Sequence, residues 1–256
     1  CNAGGPFAKL NRGPQIRYTH KFKHNLNLSG AAEDYTSHRA IGPDNAQMNA
    51  AIPDIHAKAE FGDPGKIMGG ITAGYKFLKP RTVDSEGNRT STVVASFDVN
   101  AFLAFTLNDY KFKLWGIYGQ NLTPYGIIGG YGRLLDDSPY GDYRYGNIYG
   151  MSAWFDFTTP RYGDFDFGFF AGYQANLGSR KEIDPETGYY RDCNLQWFNR
   201  LSPRIYYYLG KHLKFGVEYT YSSAQWMRAV DNKFKSTDNY DITGNHRVEL
   251  LARFTF

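Results

Sequence analysis

The side chains with chemistry to offer in this chain are lone charges set on the alternate positions of otherwise apolar runs. The basic ones are Arg17, Lys21, Lys58, Lys76, Lys111, Lys113, Arg200, Arg204, Lys214, Arg247 and Arg253. The acidic ones are Glu33, Glu60, Asp98, Asp156, Asp166, Glu218 and Glu249. Rings of such groups around an aqueous pore set its ion preference. Basic positions outnumber acidic ones, so the spacing predicts a pore lining that mildly favours anions. The competing expectation is that the charges pair across strands and only keep one face wet.

Other chemistries have weaker footing. The histidines are His20, His24, His38, His56, His212 and His246, and none stands in a pattern that suggests a Ser-His-Asp relay. A barrel hydrolase is therefore the least favoured reading, and the chain is expected not to be an enzyme. Asp136, Asp137 and Asp142 could gather around calcium, although a solvated acidic loop explains them as well. The two cysteines, Cys1 and Cys193, form no Cys-x-x-Cys or Cys/His cluster, which argues against zinc. Neither a metal nor a cofactor is expected. Cys1 could pair with Cys193, carry a lipid, or lie partway along a longer chain. The net charge of +4 is too small and dispersed for a nucleic-acid partner.

The elements that would hold such charges are short amphipathic strands. In the closing stretch, Val248, Leu250, Ala252, Phe254 and Phe256 alternate with Arg247, Glu249, Arg253 and Thr255, with Leu251 as the one break. Strand side chains point alternately to two faces. The same pattern recurs over 15–22, 26–33, 55–61, 67–77, 95–107, 110–118, 147–159, 165–177, a strand ending at 204–209, and 213–221. This makes about eleven strands, each near the length that crosses a bilayer at a tilt. Short turns at Lys23-His24-Asn25, Gly62-Asp63-Pro64-Gly65, Asn108-Asp109, 160–164 and Gly210-Lys211 alternate with long connections at 34–51, 79–92, 120–146, 178–194 and 223–244.

That alternation, with charges on nearly every strand, excludes a dry-cored soluble barrel, where each buried charge would cost several kcal/mol. It fits a single antiparallel transmembrane β-barrel spanning residues 1–256, with short periplasmic turns and long extracellular loops. The apolar face then meets outer-membrane lipid. Long loops such as 120–146, with Tyr131, Tyr140, Tyr143 and Tyr145, could fold inward as a constriction or outward as a binding surface. The small residues Ala57, Ala59, Gly69 and Ala73 are candidates for a subunit contact. An odd strand count conflicts with the even number of bacterial barrels, so strands upstream of Cys1 are expected, with closure at about twelve strands by residues 1–13 as the alternative.

Several short motifs carry a family resemblance. They are Arg12-Gly13-Pro14-Gln15-Ile16-Arg17-Tyr18-Thr19, the Asn25-Leu26-Asn27-Leu28-Ser29 strand ending at Ala32-Glu33, and Ile52-Pro53-Asp54-Ile55-His56-Ala57-Lys58. Tyr118-Gly119-Gln120, Leu201-Ser202-Pro203 and Val217-Glu218-Tyr219-Thr220-Tyr221 add to them, as does the terminal phenylalanine strand. Together they resemble the second half of DcaP-like outer-membrane porins. The aromatic-rich loops are similar to those of Bacteroidetes proteins. The resemblance implies a homotrimeric porin of about sixteen strands in the full protein, passing small hydrophilic, often anionic solutes through the outer membrane of a Gram-negative cell.

Overall fold

The computed structural model describes residues 7–9, 13–34, 45–135, 142–187, 189–190 and 194–255. Its strands are β1 (Gln15–Lys21), β2 (Asn27–Glu33), β3 (Asp54–Asp63), β4 (Ile67–Leu78), β5 (Val94–Leu107), β6 (Tyr110–Gln120) and β7 (Gly130–Arg133). They continue with β8 (Tyr145–Thr158), β9 (Phe165–Ser179), β10 (Tyr189–Tyr190), β11 (Leu195–Leu209), β12 (Leu213–Val230), β13 (Ser236–Asn239) and β14 (Thr243–Phe254). All belong to one antiparallel 14-stranded meander. Apart from the short β7, β10 and β13, these are the eleven expected crossings. Among the described residues the sheet is open: β1 pairs only with β2, and β14 only with β12.

The two faces differ as the alternation requires. Phe165, Phe167 and Phe169 are exposed on the convex side of β9, while Asp166 between them is buried. In β4 and β5, Ile67, Ile71, Tyr75 and Val99 are exposed, whereas Lys76, Ser96, Asp98 and Asn100 are buried. An exposed apolar row of this length around a sheet with a polar inner face belongs against lipid. The turn at Asn108-Asp109 has both residues at positive φ (49° and 66°). That is the turn type whose twist matches two adjoining strands, and Asn and Asp tolerate it well.

The long connections differ most from expectation. The stretch 223–244 is not one loop: β12 runs on to Val230, and β13 pairs back onto it. Region 120–146 contains β7, and 34–51 ends in the short helix α1 (Ala46–Ala50). At a rise of about 3.4 Å per residue, strands this long exceed the bilayer. Their ladder hydrogen bonds continue equally well in water, so nothing ends them at the membrane surface.

Above the strands the loops are clasped together. The Asp142 carboxylate accepts the Ser91 and Thr92 backbone N–H groups at 2.7 and 2.9 Å. The Arg81 and Arg133 guanidinium groups lie over the Tyr143 ring at 4.4 and 4.2 Å. Slight desolvation works to raise the Asp142 pKa, but the Ser91 and Thr92 hydrogen bonds outweigh it and hold the carboxyl below its ordinary value. A depressed folded-state value means that the clasp is fully present above the unfolded value and is lost as pH falls through the folded one. Asp142→Ala is expected to speed amide exchange at Ser91 and Thr92 at neutral pH by about tenfold. The unaltered protein is expected to show the same loosening only in acid. Hydrogen exchange read by mass spectrometry checks both.

Candidate functional site

The inner face is organised by a segment that leaves the wall. After β6 the chain turns inward over 121–129, and Leu122, Tyr125 and Ile127 pack with Ile117 of β6, bounded by Trp115. The Ile128 N–H donates to Gln174 Oε1 of β9 at 3.1 Å. Gly150 leaves room for this approach, while Gly119 lets β6 lie close against β5. A Cβ on Gly150 would strike the Ile128 carbonyl oxygen, and one on Gly119 would press the β5 backbone at Phe97 and Asp98.

Tyr125, at the tip, ends in a buried polar knot. Its hydroxyl donates to Asp98 at 3.2 Å. Lys9 donates to both Asp98 oxygens, at 2.9 and 3.1 Å, and reaches His56 Nδ1 at 3.3 Å. The Lys9 and Lys76 ammonium groups lie 3.9 and 4.6 Å from the Tyr125 ring centroid, and Lys76 also donates to the Asn121 carbonyl. Burial holds the Tyr125 hydroxyl well above its ordinary pKa, with the Asp98 charge adding to the effect, so it stays protonated and able to donate. Behind Lys9, Phe7 is fully buried, stacked on Phe198 and tilted on Phe170, in a notch left by the missing side chain of Gly172.

Toward the short turns the inner charges form a second group. Arg204 grips Asp156 with two hydrogen bonds, at 2.7 and 3.0 Å, and also donates to Thr158 Oγ1. Tyr208 donates to Asp166, and Lys214 donates to Tyr208 at 2.8 Å. Lys214 and Arg253 line a recess of about 240 Å³ beside His212. Glu218 is buried beneath this group in register with Arg204 and Glu249. Arg247 pairs with Glu249 at 2.7 Å on the edge strand β14. Lys58 pairs with Glu60, and His56 Nε2 lies 3.6 Å from Glu33. Arg17, Lys21, Glu33, Lys58 and Glu60 share one polar cavity of about 610 Å³. Arg200 reaches Ser222 at 3.4 Å and lies over the Phe7 ring. Lys111 and Lys113 are exposed and have no ion-pair partner among the described residues.

Thus the charges named from the sequence fall into separate groups, many of them paired. The inner face also carries aromatics to which the sequence reading gave no role. Phe102, Trp115, Trp154, Phe170 and Phe198 occupy inward positions: Trp115 borders the inward loop, Phe170 and Phe198 hold Phe7 with Trp154 tilted on Phe170, and Phe102 lies under the Lys58 ammonium. They were legible as aromatics out of phase with the apolar face, but nothing local said what would cover them. Lys9, Asp54 and Tyr125 carry no strand periodicity or lie at a strand end, and escaped notice for that reason. Among the described residues no three His, Cys, Asp or Glu side chains cluster to hold a metal. Cys1, Cys193, Asp136, Asp137, His38 and Tyr140 lie outside the described residues.

A lipid-facing apolar surface, a water-facing charged surface and an inward loop on an antiparallel meander together define the outer-membrane porin-like barrel fold. In particular, the chain is similar to the outer membrane channel DcaP of Acinetobacter baumannii, with a TM-score of 0.68 at 16% identity over 100% of this chain. It spans 65% of that channel's length. It also matches the trimer form of OmpT, an outer membrane protein of Vibrio cholerae, with a TM-score of 0.49 at 9% identity over 94% of this chain and 64% of that one. A score of 0.68 establishes the fold, and 0.49 adds nothing to it. No family model and no curated protein matches the sequence.

Proposed function

We propose that this chain forms most of the wall of an outer-membrane porin, a non-enzymatic channel for passive diffusion of small hydrophilic, mildly anionic solutes. Lys111 and Lys113 carry the anionic part of the reading. They face inward on β6 while the carboxylate in register with Lys113, that of Asp156, is already taken by Arg204. The wall there presents positive charge that no ion pair among the described residues cancels. The other inner-face charges lie on the same side of the wall, Arg17, Lys21 and Arg253 open to the pore and Lys76, Asp98, Asp156 and Arg204 buried behind it. Among the described residues β1 and β14 each lack a ladder partner on one side, and such edges cannot be left to lipid; the reading therefore requires a closed barrel in the membrane. A homotrimer, packed through the small outer residues of β3 and β4, completes the reading.

The test is the reversal potential of the full-length protein in a planar bilayer under a potassium chloride gradient. Anion preference is expected, and Lys111→Glu with Lys113→Glu is expected to move the potential toward the cation limit. A clear cation preference in the unaltered channel rejects the solute class. Absence of any conductance rejects the channel and favours a surface-interaction barrel.

A further inference from the structure

We propose that residues 7–9 form a strap on the inner wall that Lys9 latches at neutral pH and that is let go when His56 takes up a proton, so that the pore widens in acid. The proposal rests on the channel reading and adds a means of regulation to it. The three residues belong to no strand. One end is pinned on the β8–β11 side. The Phe7 ring packs on Phe170 and Phe198, and Ser152 Oγ donates to the Phe7 carbonyl at 2.8 Å. The other end is held on the β3–β5 side, through Lys9.

The two fastenings differ in kind. The Phe7 end is apolar and indifferent to pH, whereas the Lys9 end joins titratable groups. His56 and Asp98 meet over Gly74 of β4, where a Cβ would strike both side chains. The Lys9 ammonium donates to the two Asp98 oxygens and to His56 Nδ1. An ammonium has donors and no acceptor. The contact therefore needs a lone pair on Nδ1, which makes His56 neutral with its proton on Nε2, the nitrogen 3.6 Å from Glu33. That lone pair is also the one place where a neutral imidazole takes its second proton. Lys9 and the proton compete for the same atom. Protonated His56 would set two positive groups 3.3 Å apart where His56 is only 7% exposed, so that water screens them poorly. The latch is present above the pH at which His56 titrates and lost below it.

The surrounding groups do not oppose this release. Glu33 of β2, Asp54 of β3 and Asp98 of β5 face the latch with negative charge, and Lys76 of β4 with positive charge. Tyr125 of the inward loop brings a hydroxyl. Lys58, further along β3, is paired with Glu60, and Arg17 of β1 stands two strands away in the same cross-strand row. At neutral pH Glu33, Asp54 and Asp98 outnumber Lys9 and Lys76. Each proton gained, on His56 or on a carboxylate, shifts that balance against Lys9. Lys9 is part of the lining of the polar cavity of about 610 Å³, with Arg17 and Lys21. Freed at Lys9, the strap leaves that stretch of the lumen while Phe7 keeps it tethered.

A nitroxide spin label at Ala8→Cys, in the full-length protein with Cys1→Ser and Cys193→Ser, reads the strap directly. Its mobile fraction is expected to rise about tenfold between about pH 7.5 and about pH 5, reversibly, with single-channel conductance rising over the same interval. His56→Gln, which stays polar but takes no proton, is expected to keep the label immobile and the conductance flat. Should it fail to fold, judged by its heat-modifiable gel shift, His56→Asn makes the same comparison. Asp98→Asn, which removes the charge that grips Lys9, is expected to free the label at both pH values. A label indifferent to pH, an acid step that survives His56→Gln, or an immobile label in Asp98→Asn overturns the proposal. So does a conducting protein whose label frees in acid with no rise in current. The spin label needs no conduction. A protein that shows the acid step but passes no current refutes the channel alone, and one that conducts with an unmoving label refutes the strap alone.

Discussion

Asp156→Ala is expected to destabilise the barrel by about 3–5 kcal/mol, the cost of stranding a buried partner charge. The Arg204 and Asp156 side chains are 7% and 8% exposed, and their contact is two-pronged. The guanidinium lies over Gly168, where any side chain would collide with it, so it has little room to turn toward water. Its remaining hydrogen bonds, to Thr158 Oγ1 and the Phe157 carbonyl, are to neutral groups. Removing both charges, with Asp156→Ala and Arg204→Met together, is expected to recover most of the loss, because the desolvation cost goes with them. Urea unfolding in lipid vesicles, followed by tryptophan fluorescence, measures both. A single-variant loss below about 1 kcal/mol would mark the pair as a water-bathed surface bridge.

The second large effect is expected at Gly150, and it separates the pore from the wall. A valine there drives its Cβ into the Ile128 carbonyl oxygen and crowds Leu122. The strand is the stiffer partner, since β8 is hydrogen-bonded to β6 and β9 on either side of the bulge at Tyr149-Gly150. The inward loop must lift instead, giving up the bond from Ile128 to Gln174. Overpacking of this kind costs about 1–3 kcal/mol. Single-channel conductance is expected to rise as 121–129 leaves the lumen. Gly116→Ala on the neighbouring strand is the control: its Cβ would meet nothing closer than 3.6 Å, and neither stability nor conductance should change. Equal conductance in Gly150→Val and the parent would show that the loop does not narrow the pore.

Much of the fold was readable along the chain because alternation is a local property. Asp98 between Phe97 and Val99, or Asp166 between Phe165 and Phe167, declares two faces whatever else the chain does. Turn chemistry was equally local, as at Asn108-Asp109. The loops were not readable in this way. Region 120–146 has glycine, tyrosine and isoleucine without period, and the same composition suits a solvated loop or one packed inside. The length of β12 was missed for a related reason: Ser222, Ser223 and Gln225 look like loop residues, yet all three pair with β11, and the two serines with β14 as well.

By itself the sequence determined the eleven crossing strands, which side of each meets lipid, and the short and long ends of the barrel. A two-residue period and a turn residue act over a few positions, so no distant contact can overrule them. Only the tertiary structure decided which charges cancel. Lys9 and Asp98 lie 89 residues apart, Asp156 and Arg204 48, and only sheet register and curvature bring them together. The same register left Lys111 and Lys113 without partners among the described residues and set Trp115 between an inward loop and an open cavity.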